Sequence, residues 1–108
     1  MTRLPSRMMV DVLMRSASAA GGFATLLARG DDHGGAILIQ CRDRDGDGPL
    51  LERQFDGQWQ AVGPDPASSP ADRADYVARR RRIDPDLWLI ELDMAPVPEL
   101  VANLNPHF

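Results

Sequence analysis

Two groups of side chains in this chain have the types and spacing to do chemistry. The first is Asp43-Arg44-Asp45-Gly46-Asp47-Gly48. Carboxylates at alternate positions can converge on one hard cation, and the glycine permits the sharp turn of a calcium loop. The pattern then departs from such a loop: the twelfth position is Gln54, where the bidentate acid belongs, and Glu52 falls two residues early. The flanks read as strands. A polar hairpin loop is the simpler expectation, and a weak calcium site on Asp43, Asp45 and Asp47 is the alternative.

The second group is Arg79-Arg80-Arg81-Arg82, followed by a helix stop at Asp84-Pro85 and an apolar strand carrying Glu91 and Asp93. Guanidinium forks suit carboxylates and phosphates. Successive helical residues turn by about 100°, so four consecutive arginines wrap the helix and form no flat patch. Arg81 continues the apolar stripe of Ala74, Val77 and Ala78, and is expected to lean over the sheet. A lone charge there is costly, so Glu91, Asp93 or Glu52 is its expected partner. A structural ion pair is the first expectation; an anionic ligand held by Arg81 with Arg82 or Arg53 is the second. Asp72, Asp75, Asp84 and Asp86 surround the run, which disfavours nucleic acid.

Other chemistries are poorly served. All twelve cations are arginine, so no Schiff-base or P-loop lysine exists. The lone Cys41 excludes an intramolecular disulfide. In the hairpin expected here, His33 and Cys41 lie roughly 25 Å apart along the strand, too far for a thiol dyad. His33 reads as a loop residue and His107 as part of the tail, and neither completes a zinc spacing. Glu52, Glu91 and Asp93 form no convincing glycosidase pair. No cofactor is expected.

The elements that must position these residues follow from periodicity. Met9, Val10, Leu13, Met14, Ala17 and Ala20 recur at helical spacing over 6–20, with Asp11 four residues from Arg7 and Arg15, and Gly21-Gly22 ending the helix. Strands are expected at about 23–29 and 36–42. Pairing Arg29 with Ala36 places Ala24, Leu26 and Ala28 on one face with Cys41, Ile39 and Ile37. Strands at about 50–55 and 58–62 flank the hairpin signal Asp56-Gly57. Residues 63–70 form a flexible connector. Ser69-Pro70-Ala71-Asp72 opens a helix to about Arg82, Leu87 to Asp93 is the last strand, and 94–108 is a Pro-rich tail. The chain of 108 residues makes a single domain. The expected fold is α+β: an antiparallel sheet of about five strands, a four-strand meander plus the C-terminal strand, with two helices on one face.

No segment approaches the roughly 18 apolar residues of a membrane span, and Asp11 and Arg15 break the apolar run a signal peptide needs. A cytoplasmic protein is expected. The net charge of −4 points to no polyanionic partner.

Ala19-Ala20-Gly21-Gly22-Phe23-Ala24-Thr25, Arg29-Gly30-Asp31, Gly35-Ala36-Ile37-Leu38 and above all Asp84-Pro85-Asp86-Leu87-Trp88 through Asp93 resemble a family of small alphaproteobacterial proteins, a domain of unknown function. The resemblance spans about residues 7–93. It implies a bacterial single-domain protein and brings no activity, cofactor or catalytic residue. The expectation is therefore a non-enzymatic interaction or regulatory module, with a homodimer or another protein as partner. Phe23, Leu27, Leu38 and Trp59 would make the second sheet face adhesive.

Overall fold

The computed structural model describes residues 4–43, 46–94, 97, 99 and 100. Its elements are α1 (Ser6–Ala19), β1 (Phe23–Ala28), β2 (Ile37–Asp43), β3 (Gly46–Arg53), β4 (Trp59–Val62), α2 (Pro70–Ile83) and β5 (Trp88–Asp93). The α+β class holds: the described elements are two helices and a five-stranded sheet.

Connectivity departs from the expected meander. The strand order is β1-β5-β2-β3-β4. β5 lies antiparallel to β1 and parallel to β2, so the sheet is mixed. Arg29 and Ala36 do not open a hairpin; β5 occupies the place between their strands. The physical reason lies in β5 itself. Trp88, Leu89, Ile90 and Leu92 are all buried, the near-continuous apolar run of a strand covered on both faces. An edge position would leave half of them in water.

The loop from β1 to β2 therefore arches over the start of β5. Asp31 N donates to Asp86 O at 3.0 Å, Trp88 N to Ala36 O at 2.8 Å, and Trp88 Nε1 to Asp31 O at 2.7 Å. A Cβ added at Gly30 or Gly35 would collide with Asp86 O and press on Trp88 Cδ1. Both glycines are there for this close approach.

The helices lie on opposite faces, not on one. α1 buries Met9, Val10, Leu13 and Ala17 against Ile37, Ile39, Cys41, Trp88, Ile90 and Leu92. Tyr76 and Val77 of α2 pack on Leu38, Leu50 and Leu89 of the other face. Alternation forces this arrangement: with β2 and β5 central, both faces of each strand carry large apolar side chains that need cover.

Both helices begin and end as their residues dictate. The amides of Ser6 and Arg7 donate to His33 O and Asp32 O, each at 3.0 Å, so the loop supplies the cap that Pro5 cannot. At the other end Gly21 has φ +87°, Gly22 N donates to Ala17 O, and Gly21 N to Ser18 O, the Schellman arrangement. In α2, Ser69 Oγ accepts Asp72 N at 3.2 Å and Pro70 occupies the first turn.

The calcium-like segment is a tight hairpin end. Asp43 faces Gly46 and Arg42 faces Asp47, so β3 starts earlier than expected. The turn around Asp56-Gly57 has three residues: Gln54 N donates to Gln58 O at 2.7 Å, with Gly57 at φ +90°. Within 63–70, Asp65 Oδ1 accepts Ala67 N at 2.7 Å. The Pro-rich tail after Met94 lies largely outside the described residues; Val97 is buried. No described helix is long and apolar enough to cross a membrane.

Candidate functional site

The arginine run is resolved by a rotation of about one residue. The face that α2 turns to the sheet carries Arg73, Tyr76, Val77 and Arg80; Ala74, Ala78 and Arg81 are exposed. Arg80, not Arg81, meets the carboxylate. Its Nη1 and Nη2 donate to the two Glu52 oxygens at 2.6 and 2.9 Å, and Nη1 also reaches Tyr76 Oη at 3.1 Å. Both partners are shielded, at 22% and 18% exposure. The Glu52 bonds, only partly offset by burial, raise the Arg80 pKa still further. The stripe shifts because alanines are too short to fill the space above the sheet. A tyrosine ring and two arginine stems fill it and carry their polar ends outward.

Arg73 was not a candidate from sequence, yet it is the more enclosed cation at 12% exposure. It donates to Gly48 O at 2.9 Å and to Cys41 O at 3.1 Å. The β2–β3 register shifts between Gln40 and Arg42, and such an irregularity leaves carbonyls outside the ladder. Arg73 satisfies them. The only signal in the sequence is its spacing of seven from Arg80, two helical turns.

The other candidates are dispersed. Arg81 and Arg82 are exposed. Glu91 accepts Gln40 Nε2 at 3.0 Å. Asp93 faces Phe23 in the sheet register. Arg53 lies on the α1 face, with Nη1 3.6 Å from Met9 Sδ. The structure therefore does not gather Arg81, Arg82, Arg53, Glu91 and Asp93 into one site. Asp47 stands 3.7 Å from Arg73 Nη1 and 4.0 Å from Arg42 Nε, positive neighbours that a calcium ligand would not choose. Asp45 lies outside the described residues. Among the described residues no three His, Cys, Asp or Glu side chains are grouped to hold a metal.

A second polar cluster sits where the β1–β2 loop crosses β5. Asp31 Oδ2 accepts the amides of Gly34 at 2.9 Å and His33 at 3.1 Å. These two bonds hold its carboxyl below the usual range. Arg29 pairs with Asp32 at 2.9 Å and lies 5.3 Å over the Trp88 ring. Ser6 Oγ donates to Gly35 O at 2.6 Å. His33 is exposed and Cys41 buried. The cluster locks α1, the loop and β5 together.

Some of the accessible surface is apolar. β1 is an edge strand and exposes Phe23 at 75%, Leu26 at 43% and Leu27 at 42%. At the opposite end of the sheet, a cavity opens beneath the first turn of α1 beside Arg53.

These features define a small α+β domain with a mixed five-stranded sheet between two helices, its enclosed charges spent on bracing. The model of the family described as "Protein of unknown function (DUF1491)" matches residues 4–102, and the chain belongs to that family. A DUF1491 family crystal structure from Caulobacter crescentus CB15 is similar at TM-score 0.79 and 29% identity, over 92% of this chain and 94% of that one. An NMR structure of a DUF1491 protein from the same organism gives 0.74 and 30%, over 93% and 94%. Protein Atu0922 from A. tumefaciens, solved in solution, gives 0.73 and 30%, over 92% of each chain. No curated protein matches.

Proposed function

We propose that this chain is a non-enzymatic, cytoplasmic interaction module that works through the outer side of β1, and that the strand it takes is β1 of a second copy. The observation that carries this reading is the character of that edge. Phe23–Ala28 is six residues long, has no charge and no proline, and exposes three large apolar side chains. Soluble proteins normally blunt such an edge with charge, proline or brevity. The other edge, β4, is only four residues long and runs into Gly63-Pro64.

The sequence of β1 is self-complementary in an antiparallel pair. With Thr25 opposite Thr25, Ala24 faces Leu26 of the second copy on the α1 side, and Phe23 faces Leu27 on the other. Opposed residues share a face, so each pair is apolar. The irregularity between Leu26 and Ala28 bends the strand end and confines the pairing to Phe23–Leu27.

Light scattering at tens of micromolar is expected to give a dimer mass, and Leu27→Arg a monomer with unchanged circular dichroism. Thr25→Cys is expected to form a disulfide-linked dimer under mild oxidation, because buried Cys41 does not compete. A wild-type monomer at that concentration overturns the reading.

A further inference from the structure

The sheet face opposite α1 is only partly covered. Tyr76 and Val77 of α2 pack on Leu38, Leu50 and Leu89, which places that helix over β2 and its neighbours and away from β1. The strand registers define what is left open. Phe23, Asp93 and Arg42 stand in one row across β1, β5 and β2, and Thr25, Glu91 and Gln40 in the next. Phe23, Thr25 and Leu27 are exposed, and Glu91 and Asp93 are partly so. Glu91 accepts from an uncharged amide, Gln40 Nε2 at 3.0 Å. Arg42, beside Asp93, turns its guanidinium toward Asp47, Nε to Oδ1 at 4.0 Å. Among the described residues neither Glu91 nor Asp93 has an ion-pair partner.

The β1–β1 pairing, on which this inference rests, joins two such faces. Phe23 of each copy then stands beside Leu27 of the other, and Thr25 beside Thr25. The product is a two-fold apolar floor two strands wide, with Glu91 and Asp93 along both of its sides. Three strand spacings separate the two β5 strands, roughly 14 Å, and an α-helix with its side chains is about 10–12 Å across.

We infer that this floor takes one basic amphipathic helix of a partner protein. The apolar stripe of the helix lies on Phe23 and Leu27 of both copies, and arginines or lysines on its flanks reach the carboxylates of Glu91 and Asp93. A strand does not suit the place. The two β1 edges are taken up by each other, and an extended segment laid on a sheet face leaves its backbone groups without partners. A helix satisfies its own. The same carboxylates repel an anionic membrane, which otherwise attracts apolar and basic surfaces.

The probe is an amidated peptide of about 18 residues, long enough to hold a helix, made of leucine, alanine and arginine with the leucines at helical spacing. Titrated into the full chain by calorimetry, it is expected to bind one peptide per two chains and to weaken as salt is raised. The same composition shuffled off helical spacing is expected to bind at least about tenfold more weakly. Glu91→Gln combined with Asp93→Asn is expected to weaken the probe about tenfold, while light scattering still gives the dimer mass. A dimer that takes up no probe at hundreds of micromolar overturns the groove and leaves the dimer standing; a monomeric wild-type protein overturns both. Equal binding of the shuffled peptide would show a bare acidic patch and overturn the groove, as would a tetramer without peptide, in which another copy covers the face. Should the double variant fail to fold, the shuffled peptide on the unaltered protein still decides.

Discussion

Arg80 and Arg73 are the residues on which α2 depends. The helix has no buried residue of its own, so little hydrophobic burial holds it to the sheet. A two-pronged ion pair, less than a quarter exposed on either side, sits between the exposed and buried cases and loses more than a surface pair when one partner goes. Arg80→Met and Glu52→Gln are each expected to cost about 1–3 kcal/mol in urea unfolding. Arg81→Met is expected to stay within about 0.5 kcal/mol. Equal effects at residues 80 and 81 would contradict the geometry. From sequence, the composition of this contact was legible: an arginine of the run, and Glu52 among its three candidate partners. Which arginine was not. Periodicity places a stripe only to within a residue, and a stripe of alanines gives no steric weight to hold it. Arg73 was missed because the carbonyls it serves exist only where the β2–β3 ladder is irregular.

Cys41 carries a pH dependence of known sign. Burial, opposed weakly by the charge of Arg73, pushes its thiol from 9.0 up to about 12. Between those values the unfolded chain has released the proton and the folded chain has kept it. Stability from this group is therefore complete below about 9 and is lost as pH rises toward about 12. Cys41→Ala is expected to flatten the alkaline limb of the stability profile, measured by denaturant unfolding across that range.

At the level of elements, the close approach of the β1–β2 loop to β5 makes the steepest prediction. Gly35→Ala, and likewise Gly30→Ala, forces a methyl group into Asp86 O and Trp88. Each is expected to cost more than about 2 kcal/mol. Gly34→Ala meets nothing within 4 Å and is expected to change stability by about 0.5 kcal/mol or less. Thermal unfolding of the three variants separates them.

The same loop explains how most of the strand faces, Ala28 excepted, could be read correctly while the pairing was not. Pairing Arg29 with Ala36 matches Ala24 to Cys41 and Leu26 to Ile39. In the structure those pairs stand in one row with Leu92 and Ile90 between them. One strand was interposed without disturbing the segregation of Ala24, Leu26, Ile39 and Cys41, while the irregularity after Leu26 turns Ala28 to the other face, with the cluster of Leu38 and Leu89. Alternation specifies which side of a sheet a residue occupies; it says nothing of how many strands separate two such residues. The signal for the insertion was the apolar density of β5, which suits a strand covered on both sides. The same density implied apolar side chains on a second face and so a helix on each side.

At the scale of the whole molecule, β5 is the interior strand that joins β1 to the rest of the sheet. It pairs with β1 on one side and β2 on the other, and it contributes Trp88, Ile90 and Leu92 to one core and Leu89 to the other. A chain ending after Ile83 is expected to be unfolded by circular dichroism and to show collapsed amide dispersion, even though it retains both helices and four strands. A folded 1–83 fragment would mean that β1 and β2 can pair directly, as the simple meander supposed. The α+β class was legible because it needs only element types and count. The strand order depends on contacts between residues some fifty positions apart in sequence, which no local pattern encodes.

The interior position of β5 also governs how the protein is made. Chains leave the ribosome N-terminus first, so β1, with its uncharged apolar edge, is exposed well before the strand that will pair with it. Through that interval β1 and β2 each present an open side with no neighbour to accept it. The sheet cannot close until residues 88–93 have cleared the exit tunnel and taken the place between β1 and β2.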